Sequence, residues 1–133
     1  GYDIDIGKVQ INKNFTSGSF RVLADKQEIQ QVFFNILRNA AQAIDGTGTI
    51  TVSILNTGSE KVRVEIQDTG KGIPEDKVHR VFEPFFTTKG ASKGTGLGLS
   101  IVRQLVWRNK GEISFKSQAG VGTTFIVEFP KGE

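Results

Sequence analysis

Asp68 closes the run Lys61-Val62-Arg63-Val64-Glu65-Ile66-Gln67-Asp68, in which the even positions are apolar. Alternate residues of a pleated strand share a face, so Asp68 turns inward with Val62, Val64 and Ile66. A carboxylate in that setting needs hydrogen-bond donors, and the amino group of adenine is one such donor. The plainer alternative is an Asp that opens a turn before Gly70. The last apolar run, Val121 to Phe129, shifts the balance. Its inward phase is odd, which sets Thr123 beside Phe125 and Val127. A buried hydroxyl also requires a partner, and two inward polar groups suit a binding floor. Gly70 and Gly72 then read as positions where backbone approaches a flat base closely.

Three further groupings could carry chemistry. Asn35 and Asn39 stand one helical turn apart on one flank of an apolar stripe. Amide oxygens are hard, neutral ligands suited to a Mg²⁺ otherwise held by phosphates and water; the alternative is two polar residues bordering a core. Gly94-Thr95-Gly96-Leu97-Gly98 opens a helix. Backbone N–H groups at a helix start attract anions, and glycines clear room for a triphosphate; the alternative is a glycine hinge. Phe82, Phe85, Phe86 and Lys89 form an aromatic segment ending in a cation. The rings pack the segment on the core, and Lys89 is free to meet phosphate. His79, the sole histidine, has no catalytic partner in the pattern and reads as an exposed residue.

These groups need elements to hold them. Residues 2–11 alternate weakly, as an edge strand would, and Asn12 to Ser19 is turn-rich. Ser19 to Ala24 reads as a strand. Asp25 is a helix N-cap, with Glu28 three residues on in a capping-box arrangement. Ile29, Val32, Phe33, Ile36, Leu37, Ala40, Ala43 and Ile44 make one helical stripe, stopped by Asp45-Gly46-Thr47-Gly48. Thr49 to Leu55 and Lys61 to Asp68 are strands joined at Asn56-Thr57-Gly58-Ser59. A long segment, about residues 69–95, reads as a lid, since loops of that length in a small domain are usually functional. Leu97 to Asn109 is a second helix, stopped by Gly111, and Glu112 to Ser117 and Val121 to Phe129 are the last strand pair. Helices on one face of a largely antiparallel sheet give an α+β two-layer sandwich.

Composition narrows the classes. At 133 residues, 37% hydrophobic and 23% charged, the chain suits a single globular domain. The net charge of +3 is mild and its Lys and Arg are scattered, so no nucleic-acid partner is expected. No apolar run approaches the roughly 18 residues of a membrane span, so no direct membrane contact is expected either. Cys is absent, which excludes thiolate sites and fits a cytoplasmic setting. Met is also absent, which leads to the expectation that the chain is excised from a longer protein.

From about Phe20 to Pro130 the residues resemble the ATP-binding catalytic domain of sensor histidine kinases, in the superfamily shared with gyrase and MutL. Asn35-Ile36-Leu37-Arg38-Asn39-Ala40 is similar to the N box and Asp68-Thr69-Gly70-Lys71-Gly72-Ile73 to the first glycine box. Phe82 to Lys89 is similar to the F box and Gly94-Thr95-Gly96-Leu97-Gly98-Leu99 to the second glycine box, in the family order. The resemblance implies the Bergerat fold, a mixed sheet backed by three helices with ATP between helices and lid. It implies Asp68 on the adenine amino group, with Gly70, Gly72, Ile73 and Thr123 around the base. It further implies Asn39 on Mg²⁺, Asn35 near the phosphates, Lys89 as a phosphate cation, and Gly94, Thr95, Gly96, Leu97 and Gly98 wrapping the triphosphate. The implied reaction is transfer of the γ-phosphoryl group to a histidine on a separate helical dimerisation and phosphoacceptor domain, with a response regulator downstream.

Two departures matter. Gln42 stands where many members have Lys, leaving Arg38 or Lys89 to serve the phosphates. His79 is not at the phosphoacceptor position, so the acceptor must come from the separate domain. Phosphoryl transfer asks mainly for positioning and charge neutralisation. Hydrolytic relatives carry Glu one turn before the Mg²⁺-binding Asn; here that residue is Asn35, which accepts no proton. Glu28 shares the flank, but at 1.5 Å per residue it is roughly 16 Å from Asn39 along the axis. Slow hydrolysis is therefore expected. The competing readings are an ATPase clamp of the gyrase kind, which Asn35 opposes, and a non-enzymatic nucleotide-dependent regulator on the same fold.

Overall fold

The structure, a computed structural model, describes residues 8–15, 24–44, 46–56, 60–83 and 98–131. Strands β1 (Lys8–Phe15), β2 (Thr47–Asn56), β3 (Lys61–Asp68), β4 (Glu112–Gln118) and β5 (Gly122–Pro130) form one sheet in the order β1-β2-β3-β5-β4. β1 pairs parallel to β2 and the other neighbours are antiparallel. Helices α1 (Lys26–Ala43) and α2 (Gly98–Arg108) pack on each other and on the sheet, and a 3₁₀ helix spans Glu75–Arg80. The expected mixed two-layer architecture is therefore present, with two α-helices and this 3₁₀ helix among the described residues.

The edge strand was expected over 2–11, but β1 continues through Asn12 to Phe15, residues that read as turn. Ladder pairing with Lys13↔Val52 and Phe15↔Ile54 outweighs weak local preference, as sheet context commonly does. Of the strand expected at Ser19–Ala24, residues 19–23 lie outside the described residues and Ala24 is a bend, and 57–59 of the β2–β3 connection also lie outside them. β2 also starts two residues early, at Thr47, because Ile44 is already extended and Gly46 takes the left-handed conformation at φ +80°.

α1 begins as expected: the Asp25 carboxylate accepts from the Glu28 amide at 2.9 Å. The second half of the capping box is not formed. The Asp25 amide donates instead to Asn109 Oδ1 at 2.7 Å, and Glu28 Oε1 accepts from Asn109 Nδ2 at 3.1 Å. α2 ends in a Schellman arrangement in which Lys110 N–H reaches the Trp107 carbonyl and Gly111 N–H reaches that of Val106. Lys110 takes the left-handed conformation, at φ 62°. Gly111 serves close packing, since a Cβ there would lie 2.6 Å from the Glu128 carbonyl oxygen.

The core lies between the layers. Val32, Ile36 and Ala40 of α1 and Val102 and Val106 of α2 face Val64, Ile66, Phe125, Val127 and Phe129 of the sheet, all buried. Fully burying one such side chain stabilises by about 1.5–3 kcal/mol. Phe82 packs edge-on against Phe115 and Phe125, at centroid distances of 5.7 and 6.5 Å. This ties the first part of the expected lid to the core, while residues 84–97 lie outside the described residues.

Candidate functional site

The sheet's inner face changes character one row from its end. Val52, Ile66, Phe125 and Phe115 form an apolar row in register across β2, β3, β5 and β4. The next row is Ile50, Asp68, Thr123 and Ser117. Strand pleating brings these side chains to the helical layer, as the alternating burial of β3 and β5 requires. Asp68 is 3% exposed and Thr123 5%, so the inward phase expected for both is present. A row of apolar neighbours thus ends in a carboxylate and two hydroxyls on adjacent strands.

The loop after Asp68 is stitched down on three sides. Asp68 Oδ1 accepts from the Gly70 amide at 2.8 Å. Thr69 N–H donates to the Thr49 carbonyl, Lys71 N–H to the Ala43 carbonyl at the end of α1, and Lys71 O accepts from Gly120 N–H in the β4–β5 turn. Ile73 N–H donates to Ser117 Oγ at 2.8 Å. The start of the expected lid is therefore anchored to α1, β2 and the β4–β5 hairpin.

That stitching places a second demand on the glycines. A Cβ at Gly70 would lie 2.6 Å from the Ala43 carbonyl oxygen, and one at Gly72 would collide with the Gln118 carbonyl. Gly72 is also left-handed, at φ +72°. Their missing side chains are needed for contact with the protein's own backbone. Gly122 does the same from the other side, where a Cβ would strike the Asp68 carbonyl oxygen.

Asn35 and Asn39 are half-buried on α1, on the flank that also carries Glu28. Glu28 touches the last turn of α2 through Asn109 and through Arg108, 3.2 Å away. α1 runs from this end of the sheet to the Ala43–Lys71 contact, and α2 runs back beside it. At 1.5 Å per residue, the Gly98 start of α2 is then roughly level with Asn39. The amide pair, the α2 N-terminus and the Asp68 row accordingly belong to one end of the molecule. Gly94, Thr95, Gly96, Leu97 and Lys89, with Phe85 and Phe86, fall outside the described residues. Arg38 and His79 are exposed.

Ser117 escaped the sequence reading. Its Oγ lies 2.8 Å from Thr123 Oγ1 and 3.2 Å from the Gly122 carbonyl oxygen. The signal was present, because Ser117 keeps the odd phase of Ile113 and Phe115 along β4. As for a metal, no group of three His, Cys, Asp or Glu is gathered among the described residues. A Mg²⁺ here would have to take its ligands from an amide such as Asn39 together with phosphate and water, which is the usual habit of that ion.

The profile of the family described as histidine kinase-, DNA gyrase B-, and HSP90-like ATPase matches residues 24–133. Sensor histidine kinase ZraS of Salmonella typhi is 38% identical over 91% of this chain and 26% of its own length. The chain thus spans about a quarter of that relative. The catalytic domain of histidine kinase ThkA superposes with a TM-score of 0.80 at 36% identity, covering 92% of this chain and 80% of that one. Full-length ShkA in complex with AMPPNP gives a TM-score of 0.82 at 28% identity, over 96% of this chain and 26% of that one. ThkA has also been solved in complex with the response regulator protein TrrA, where the TM-score is 0.76 at 33% identity, over 93% of this chain and 34% of that one. With the sheet order, the buried Asp68 row and the match over its last 110 residues (24–133) all in agreement, the chain belongs to the histidine kinase-, DNA gyrase B-, and HSP90-like ATPase family, as a catalytic domain of the sensor histidine kinase type.

Proposed function

We propose that this domain binds ATP with Mg²⁺ and donates the γ-phosphoryl group to a histidine on a helical dimerisation and phosphoacceptor domain. A response regulator would take the phosphoryl group onward. The observation that carries the reading is Asp68, a carboxylate 3% exposed at the end of β3, beside a buried hydroxyl rather than beside more core. A carboxylate offers about four acceptor positions, and its own loop already meets it with a neutral donor, the Gly70 amide. An adenine amino group supplies a donor of the same neutral kind.

Each residue then has a task that needs no covalent chemistry. Asp68 and Thr123 read the base, while Gly70, Gly72 and Ile73 hold the loop that borders it. Asn39 supplies an amide oxygen to Mg²⁺, and Asn35 meets the phosphates one turn earlier. When bound, the cation neutralises charge on the β- and γ-phosphoryl oxygens. Gly94 to Gly98 offer backbone N–H groups to the triphosphate at the start of α2, and Lys89 adds a positive charge. Hydrolysis is slow in this reading, because Asn35 accepts no proton and Glu28 is engaged by Asn109 and Arg108. The ZraS relationship and the AMPPNP complex of ShkA support ATP as the donor, and the ThkA–TrrA complex supports the response regulator. ATP as substrate fits a cytoplasmic setting.

Thermal or chemical unfolding with and without ATP–Mg²⁺ tests the reading directly. Nucleotide at a hundred times its Kd should add about 2.7 kcal/mol of stability. Asp68→Ala and Asp68→Asn should both abolish that gain, the second because an amide cannot replace the acceptor pair of a carboxylate. No stabilisation of the native chain at millimolar nucleotide, or full stabilisation of both variants, would overturn it.

A further inference from the structure

We infer that Arg103 is a positioning residue for the nucleotide site. Its guanidinium, laid between the rings of Phe82 and Trp107, fastens the wall beside the base to the helix that faces the phosphates. The inference rests on the proposed ATP site and adds to it a residue that acts through Phe82 rather than on the nucleotide.

Arg103 and Trp107 stand one turn apart on α2, so their side chains meet on one flank. The Arg103 guanidinium carbon lies 4.7 Å from the centre of the Trp107 ring and 5.4 Å from that of Phe82. Both distances fall within the roughly 6 Å over which a cation is drawn to an aromatic face. Arg suits the place, being planar, always charged and weakly hydrated. Among the described residues no carboxylate lies within ion-pair distance of Arg103, unlike Arg63, Arg80 and Arg108. Trp107 is 59% exposed, so its ring adds little to the core and serves chiefly to hold the cation.

The chain that follows β3 meets β4 twice. Ile73 N–H donates to Ser117 Oγ, and Phe82 packs edge-on against Phe115. Ser117 and Phe115 stand two residues apart on one face of β4, about 7 Å. Ile73 and Phe82 are thus the two feet of the segment that carries the 3₁₀ helix. The first foot stands in the Asp68 row and is held there by a hydrogen bond. The second stands on the apolar row beside it, against Phe115 and Phe125, and is only half-buried by them. Arg103 lies over that second foot. It belongs to α2, whose Gly98 start is offered to the triphosphate in the proposed reading. Removing the guanidinium would therefore loosen the wall from α2 while leaving the polar groups of the Asp68 row in place.

Two double-mutant cycles on the 133-residue chain test this. The first reads ATP–Mg²⁺ affinity by titration calorimetry. Arg103→Gln should weaken binding about fivefold, the worth of a partly desolvated cation–π contact, and Phe82→Leu by a similar factor. Together they should weaken it by no more than about sevenfold, well short of the product of two independent losses. Losses that multiply would mean that Arg103 acts on the nucleotide by its charge, and unchanged affinity for Arg103→Gln that it positions nothing; either overturns the inference. The second cycle needs no nucleotide. Trp107 is the sole tryptophan, and among the described residues it forms no ring pair with Phe82. Phe82→Leu should shift Trp107 fluorescence through Arg103, and should leave it unchanged in the Arg103→Gln background. No shift in the first case, or an equal shift in both, overturns the stack. If Arg103→Gln does not fold, Arg103→Ala, a stronger helix former, takes both cycles. Failure of the native chain to bind ATP would overturn the inference together with the site it serves, whereas failure of Arg103 alone leaves native binding intact.

Discussion

Glu28 and Asp68 are both acids turned toward the protein, at opposite ends of the layer between helices and sheet. Glu28 is enclosed by partners of its own chain. One oxygen takes the Asn109 amide at 3.1 Å and the other faces Arg108 at 3.2 Å. Asn109 in turn accepts from the Asp25 amide and donates to the Leu105 carbonyl. Asp68 is more deeply buried, yet its loop meets it with the neutral Gly70 amide, and its row continues into hydroxyls. A carboxylate that faces a guanidinium fastens two helices, whereas one that accepts from its own loop and heads a row of hydroxyls shapes a floor. The comparison teaches that the helix pair is fastened at the Asn109 end and that the Asp68 end is shaped for something else.

The sharpest way to break this contrast is to damage the Asp68 end without touching its polar groups. Gly122→Ala would drive a Cβ into the Asp68 carbonyl oxygen at a φ of +147°. The expected loss of stability, measured by urea unfolding in the absence of nucleotide, is about 3 kcal/mol. Native-like stability would mean that β5 and the Asp68 loop do not approach as closely as described. The effect should appear with or without ATP, whereas Asp68→Asn should remove the nucleotide-dependent gain.

How far these ends were legible depends on how local their causes are. The inward turn of Asp68 and Thr123 could be read because strand alternation is written within a few residues. The stripe and cap of α1 were equally local, and Lys61–Asp68 was placed to the residue. Gly70 and Gly72 were recognisable as positions of close approach, but their fit against the protein's own backbone was not, since the atoms they avoid belong to Ala43 and Gln118. Glu28 was read as half of a capping box because the spacing fits; the partner that diverts it, Asn109, lies 81 positions away. The extension of β1 through Asn12–Phe15 likewise depends on a parallel neighbour far along the chain. Short-range periodicity reports faces, and long-range contact decides what the faces are for.

At the fastened end, Asn109→Ala should cost about 2 kcal/mol, since it strips three part-buried hydrogen bonds from the start of α1 and the end of α2. Asn109 is 7% exposed, so water does not readily replace what is lost. ATP affinity should stay within about twofold, because the two ends share no direct partner. A large fall in affinity with little change in stability would reverse the assignment of the ends.

Glu28 offers the smallest effect and the finest resolution. Glu28→Gln keeps an oxygen for Asn109 Nδ2 and removes only the charge that faces Arg108. Arg108 is 70% exposed against 23% for Glu28, so solvent screens the pair and the loss should be about 0.5 kcal/mol, shrinking in high salt. Glu28→Ala removes the Asn109 acceptor as well and should cost roughly 1 kcal/mol more. Equal losses for the two variants would assign the whole effect to charge and show Asn109 satisfied without Glu28. A larger loss for Glu28→Ala that persists in salt would locate the fastening in the amide, where the geometry of Asn109, bonded at once to Asp25, Glu28 and Leu105, places it.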